Sequence, residues 1–345
     1  MKFAQSVYDF ITNLISTGEK IYSTQSNEDS RVGDFLYDHF KQLNSNKKDD
    51  IKLNQILNGL FLMRSKRENI RSGCSNIFDL SLINFSNYKE FAGHSYVELK
   101  KGYTPIVKAF MGQHEQQFMS RLSLNHYMKR IYLCTKHSNQ LHKTDCFHCS
   151  YTNDEDKAVI KMCDATDPNE PKDFIVVCDR VVCSMSLGYL KENLNNFIEP
   201  VTYVSNERRL AVSRLGFGTI NKIFLFYEKP FWSKNVKLIN MIWLPDAKGE
   251  FQVEKLIYRN SNKRIWYEDI CKFEVVDSYP NALSGWIAGS EDFERLDDSE
   301  IAAECTRLLR KFLSNDQIPE PKSIIRTKWN MNRFSRGSYS HMPLG

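Results

Sequence analysis

The hydrophobic and polar positions in the first part of the chain follow a helical repeat. Apolar residues recur every three or four positions in residues 3–17, 32–43 and 51–63, which predicts three amphipathic helices. The polar runs 24–30 and 44–50 separate these segments and predict solvated loops. We expect the three helices to be structural, because their residues indicate no chemistry.

Further along the chain, apolar residues gather in short runs of strand length. The run 220–227 is β-branched and aromatic, and 181–185 is an apolar run that predicts a buried strand. The other predicted strands are 122–133, 158–163, 174–178, 238–244, 251–258, 272–276 and 281–288. Successive strands without helices between them predict substantial antiparallel pairing. Residues 299–312 predict a helix that Asp297 or Asp298 can cap.

Composition narrows the class of protein. A chain of 345 residues is long enough for two domains, and 41% hydrophobic with 26% charged residues is typical of a globular fold. A net charge of +5 is small for this length and does not indicate a nucleic-acid partner. No apolar run approaches the roughly eighteen residues of a membrane helix. Cysteines without a signal peptide favour reduced thiols, so we expect a cytoplasmic protein, with the peroxisome or nucleus as alternatives.

Lys222 lies in the middle of the apolar run 220–227. Burying a lysine in an apolar strand is costly, and desolvation readily lowers its pKa. The residues alone leave two interpretations open: a side chain that reaches solvent from a strand end, or a catalytic amine that faces a cofactor. Gly216 and Gly218 precede it and allow a tight turn or a close approach to another backbone.

Three segments resemble the flavin-containing amine oxidases, and within them the polyamine and spermine oxidases. They are RLGFGTINKIFL at 214–225 with KPFW at 229–232, DRVVCSMSLGYLK at 179–191, and RTKW at 326–329 with GSYS at 337–340. The resemblance implies an α/β (α+β) fold. It would contain an incomplete FAD-binding, Rossmann-like domain and a substrate domain with a mixed, largely antiparallel sheet and flanking helices.

The resemblance also implies a division of the chain into four segments. Residues 1–92 would be the helical part of the substrate domain, and 93–203 a partial FAD-binding domain. Residues 204–310 would form the substrate-binding domain with its mixed sheet, and 311–345 would return to the FAD-binding domain.

Four residues receive roles from the resemblance. Lys222 is implied to be catalytic, holding a water near N5 of the flavin. Trp329 would pack beside the isoalloxazine, and Met128 would contact the adenine end of FAD. Tyr339 would wall the amine pocket, where an aromatic ring suits an ammonium group. Packing in the protein core is the alternative explanation for Trp329, Tyr339 and Met128.

The implied activity is FAD-dependent oxidation of a polyamine C–N bond by hydride transfer to flavin, with O2 as the oxidant and H2O2 as a product. The alternatives are a histone-lysine-demethylase-like amine oxidase, or a non-catalytic remnant that acts as an interaction protein. The sequence contains no G-x-G-x-x-G turn for the FAD diphosphate. We therefore expect an incomplete or inactive fragment that retains negligible FAD. The sequence carries no signal for the oligomeric state or for which amine is oxidised.

Residues with the spacing of zinc knuckles lie between two predicted strands. They are Cys134, His137, Cys146 and Cys149, with His142 and His148 in reserve. Thiolate and imidazole ligands suit zinc. The resembling family has a variable loop here without metal. We therefore predict a solvated loop and no metal, with a structural zinc site as the alternative.

Overall fold

The computed structural model describes residues 29–44, 51–86, 99–134, 146–152, 156–244, 265–289 and 292–345. The chain divides into two compact units. Unit 1 comprises Met1–Tyr96 and Arg214–Gly345, and unit 2 comprises Val97–Ser213. Among the described residues, no helix combines the length and apolar character needed to cross a membrane. The four-segment domain assignment stays a prediction.

Helices and strands alternate irregularly along the chain. The described α-helices are α1 (Val32–Asn44), α2 (Ile51–Ser72), α3 (Leu82–Ser86), α4 (Thr104–Met111), α5 (Glu115–Met119), α6 (Leu187–Asn193), α7 (Asn206–Arg214) and α8 (Asp298–Leu313). The described strands are β1 (His126–Tyr132), β2 (Ala158–Asp164), β3 (Lys172–Cys178), β4 (Ile198–Glu199), β5 (Gly216–Gly218), β6 (Ile220–Phe226), β7 (Leu238–Asn240), β8 (Lys272–Val276), β9 (Tyr279–Ala288), β10 (Ser323–Arg326) and β11 (Tyr339–His341).

Unit 1 is built on a five-stranded sheet in the order β10-β6-β9-β8-β7, in which each neighbouring pair is antiparallel. Strands β5 and β11 form a separate antiparallel pair. Unit 2 holds a four-stranded sheet in the order β3-β2-β1-β4, and it is mixed because β1 and β4 run parallel. Helices with mixed and antiparallel sheets confirm the predicted α/β (α+β) class.

The core of unit 1 lies between the five-stranded sheet and α8. Ile223 and Leu225 of β6 are fully buried against Leu308 and Leu309 of α8. Each such side chain contributes about 1.5–3 kcal/mol by leaving water. The predicted helix at 299–312 is confirmed as α8, and the Glu300 carboxylate accepts the Asp297 N–H at 3.1 Å in a capping box.

Helix α2 continues nine residues beyond its predicted end at Met63, through a charged segment. The prediction was wrong because that segment looks solvated in sequence, whereas Arg64, Lys66 and Glu68 are buried and each has a polar partner. Arg64 and Glu68 form a buried ion pair at 3.3 Å, and Ser72 Oγ donates to Glu68 at 2.9 Å. Lys66 Nζ donates to the backbone carbonyl of Glu268.

Unit 2 confirms the strands predicted at 158–163 and 174–178 as β2 and β3, which pair antiparallel over their full lengths. The strand predicted for 181–185 is wrong: this segment has no regular secondary structure, and Val182 is 90% exposed. An apolar run becomes a strand only when a neighbour accepts its backbone hydrogen bonds. The predicted helix at 3–17 and the predicted strand at 251–258 lie outside the described residues.

Candidate active site

The alternation of side chains along β6 sets the position of Lys222. Ile223 and Leu225 point into the core of unit 1, so Lys222 and Phe224 lie on the opposite face of the sheet and are half-buried. We call this the lysine face, defined by Lys222, Phe224 and Trp286. Lys222 is the third residue of a seven-residue strand, so it does not reach solvent from a strand end.

Trp286 is the direct partner of Lys222 on the neighbouring strand β9. The Lys222 Nζ lies 4.1 Å from the centroid of the Trp286 ring, within range of a cation–π contact. Burial lowers the pKa of Lys222, and the negative charge of Glu274 opposes that effect. A half-buried amine of lowered pKa holds its proton less firmly than a surface lysine.

The segment that carries Trp329 is joined to Lys222 through the backbone. The Lys222 N–H donates to Thr327 Oγ1 at 2.9 Å, and the Thr327 N–H donates to the Lys222 carbonyl at 3.0 Å. Thr327 Oγ1 in turn donates to Asn221 Oδ1 at 3.0 Å, and the Trp329 N–H donates to the same oxygen at 3.3 Å. The Trp329 side chain is 40% exposed, so part of its ring is open to a ligand.

Behind the lysine face, Asn221 and Glu294 form a buried polar network that the sequence analysis missed. Asn221 Nδ2 donates to Glu294 at 2.7 Å, and the same carboxylate accepts the backbone N–H groups of Asn330 and Met331 at 3.0 and 2.7 Å. Glu294 is fully buried. The network therefore fixes the chain on either side of Trp329. The sequence signal that could have revealed this network is Asn221 itself, a polar residue at a position of β6 that the alternation of side chains assigns to the core.

Tyr339 lies on β11, paired with Gly218 of β5. A Cβ on Gly218 would meet the Gly73 carbonyl oxygen at 2.0 Å, and a Cβ on Gly73 would meet the Tyr339 Cβ at 2.3 Å. The expectation that Gly216 and Gly218 permit close approach to another backbone is thus confirmed at Gly218. Tyr339 is 48% exposed, so its ring is not a core side chain.

Met128 belongs to unit 2, whereas Lys222, Trp329 and Tyr339 belong to unit 1. It lies on β1 at a register shift and packs, half-buried, against the cluster that contains Ile131 and Phe197. Packing accounts for this methionine by itself. Its contact with FAD stays a prediction.

The residues of unit 1 fit the ring end of a flavin. The half-buried Lys222 amine lies on the face of the sheet opposite the core, and Trp329 and Tyr339 present partly exposed aromatic rings. An aromatic side chain can stack on a flat ring such as an isoalloxazine, and an ammonium group binds favourably over an aromatic face. The diphosphate end has no glycine-rich turn among the 345 residues. The fit is therefore confined to the ring and the amine.

Comparison with known proteins places this region in a known family. The family model for flavin containing amine oxidoreductases matches residues 85–345. Human peroxisomal N(1)-acetyl-spermine/spermidine oxidase is 35% identical over 174 residues, which cover 48% of this chain and 32% of that protein. Its Bos taurus counterpart is 32% identical over 199 residues, covering 53% of this chain and 36% of that protein.

More distant matches were also found. Histone demethylase-like protein A of Aspergillus fumigatus is 31% identical over 166 residues, covering 48% of this chain and 15% of that protein. Among solved structures, cyclohexylamine oxidase from Brevibacterium oxydans IH-35A has a TM-score of 0.44 at 15% identity, over 83% of this chain and 54% of that one. The matches to the two peroxisomal oxidases span about a third of each relative's length. Because the family model matches most of the sequence, the chain belongs to the flavin containing amine oxidoreductases.

Proposed function

We propose that this protein is an FAD-dependent amine oxidase that acts on polyamines, and that Lys222 is its catalytic residue. The observation that carries the proposal is the half-buried Lys222 amine, 4.1 Å from the Trp286 ring on the face of the sheet opposite the core. Placing a charged amine in the interior of a strand costs free energy, and folding alone does not require a charge there. Family membership supports the flavin.

FAD, if bound beside Trp329, would supply the two-electron oxidation of the C–N bond, with O2 as the final electron acceptor and H2O2 as the product. The lowered pKa of Lys222 increases the share of neutral amine, which can accept a hydrogen bond from a water and hold it near the reacting atoms. We assign Trp329 to the isoalloxazine, because its ring is partly exposed beside β6.

The partly exposed ring of Tyr339 suits the cationic substrate, because an ammonium group binds favourably over an aromatic face. The names of the human and Bos taurus relatives support an acetylated or free polyamine as the amine. The word peroxisomal in both names supports the peroxisome as an alternative to the cytoplasm.

A histone-lysine demethylase activity is the second candidate, since relatives with that name also match. The K-P-F-W segment at 229–232, which resembles the polyamine oxidases, favours the polyamine. The two candidates differ in their products: a demethylase releases formaldehyde, and a polyamine oxidase does not.

The test supplies FAD to the purified protein and measures peroxide with spermine, N1-acetylspermine or a dimethyl-lysine histone peptide. We expect polyamine-dependent peroxide from protein that holds FAD, and its loss in Lys222→Met with polyamine binding retained in calorimetry. If protein that holds FAD forms formaldehyde with the peptide and no peroxide with the polyamines, the substrate is a methylated lysine and not a polyamine. Protein that binds no polyamine, or that holds FAD and oxidises neither amine, would refute the proposal for this chain.

A further inference from the structure

Unit 2 contains a group of metal-type ligands that the proposed oxidase activity does not use. The Cys3His cluster consists of Cys134, Cys146, His148 and Cys149, whose ligand atoms all lie within 4.8 Å of one another. Cys134 follows β1, and the other three residues lie in or beside a short 3-10 turn that precedes β2. His137 and His142 lie outside the described residues.

The spacing of the sulfurs matches a tetrahedral metal site. A Zn–S bond of about 2.3 Å places two sulfurs of a tetrahedron about 3.8 Å apart. The sulfurs of Cys134 and Cys149 are 3.7 Å apart, and Cys149 Sγ lies 3.9 Å from His148 Nδ1. A disulfide would require about 2.05 Å between the sulfurs. The two segments therefore meet at the distance of shared ligation.

The histidine presents the correct nitrogen to the sulfurs. His148 is almost fully buried, and its Nε2 lies 2.8 Å from the carbonyl oxygen of Lys157. A carbonyl only accepts hydrogen bonds, so Nε2 carries the proton and Nδ1 has a free lone pair directed towards Cys149. Ligating histidines in proteins characteristically donate their other N–H to a carbonyl or carboxylate in this way.

The surrounding residues hold both arms of the cluster independently of any ion. Tyr203 donates its hydroxyl to the Cys134 carbonyl at 2.7 Å. The ring of Phe147, within the turn, packs on Tyr132 of β1 with centroids 4.1 Å apart, and on Tyr151 at 5.0 Å. The ligands are therefore positioned before a cation binds, which lowers the entropy that binding must overcome.

A redox or nucleophilic thiol fits these observations less well. Three sulfurs and one imidazole complete a tetrahedron without an open position, which is the composition of structural zinc sites.

We propose that the Cys3His cluster binds one Zn²⁺, which joins the end of β1 to the turn before β2 and stabilises unit 2. This proposal replaces the solvated, metal-free loop that the sequence analysis favours. It goes beyond the oxidase function and does not depend on it, because the four ligands belong to unit 2, whereas Lys222, Trp329 and Tyr339 belong to unit 1.

The first experiment measures metals in the full chain, purified without chelator, by mass spectrometry. We expect about one zinc per chain. Cobalt titration of the metal-depleted protein should give the visible absorption of tetrahedral cobalt bound by thiolates. No cobalt spectrum together with less than about a tenth of an equivalent of zinc would overturn the proposal.

Thiol counting under denaturing, non-reducing conditions with chelator should find all nine cysteines reactive. Two fewer reactive thiols would show a disulfide and also overturn the proposal.

Two variants locate the ion. Cys149→Ser should weaken zinc binding by more than the roughly 10–100-fold typical of losing an outer-shell partner. Cys183→Ser removes an exposed thiol of the same unit, outside the cluster, and should bind zinc like the unmodified protein. Equal affinity in both variants would contradict the assignment. Should Cys149→Ser fail to fold, the cobalt spectrum of the unmodified chain still decides the proposal.

Discussion

Replacing Glu294 by alanine tests whether the buried network holds the Trp329 segment against β6. The carboxylate accepts hydrogen bonds from Asn221 Nδ2 at 2.7 Å, Asn330 N at 3.0 Å and Met331 N at 2.7 Å. Each buried donor that loses its partner costs about 1–3 kcal/mol. Met331 is half exposed, so water can replace part of what its N–H loses. Summed over two buried donors and one partly hydrated donor, we expect the free energy of unfolding of unit 1 to fall by about 3–5 kcal/mol.

Tryptophan fluorescence in urea measures this unit alone, because all five tryptophans lie between residues 232 and 329. Glu294→Gln keeps one acceptor oxygen but turns an NH2 group towards a donor, so it should lose about 1.5–3 kcal/mol. Glu320→Ala removes an exposed glutamate and should change stability by less than about 0.5 kcal/mol. A loss below about 1 kcal/mol in Glu294→Ala, with an unchanged urea m-value, would refute the assigned role of the network.

Two further predictions concern the neighbouring residues. Gly218→Ala should destabilise unit 1 by about 2–3 kcal/mol, because the new Cβ would overlap the Gly73 carbonyl. The matched control is Ser340→Ala, which changes an exposed residue of β11. Equal urea midpoints for the two variants would contradict the overlap. Since burial holds the pKa of Lys222 below its ordinary value of 10.5, the unfolded chain binds more protons between those two pKa values, and stability rises with pH there. Lys222→Met should lack that alkaline rise in urea titrations, and a difference from the unmodified chain that is constant with pH would count against it.

The strand that carries Lys222 was predictable because its composition reports its environment. The β-branched and aromatic run 220–227 is β6, Ile220–Phe226, and period-two alternation assigns its faces. The run 181–185 has similar composition but is irregular, because composition does not identify a partner strand. Local pattern thus predicts which segments can pair, and only the fold decides which do.

Contacts between distant residues lay beyond such reasoning. Asn221 and Glu294 are 73 positions apart, and their partnership follows from how β6 and the turn before α8 pack. Cysteine spacing identified three of the four members of the Cys3His cluster, and His148 was only a reserve candidate. Side-chain directions within a 3-10 turn select it, and spacing alone does not fix these directions.

The alternation along β6 has an evolutionary consequence. Deleting one residue between Gly218 and Lys222 would invert the parity of the strand, which would turn the amine towards the buried face of α8 and expose Ile223. The close fit of Gly218 on Gly73 and the paired bonds of Thr327 to Lys222 resist such slippage from both ends. Insertions and deletions should therefore be excluded between Gly218 and Lys222. In this stretch the same alternation of side chains decides both whether the core forms and where the amine lies.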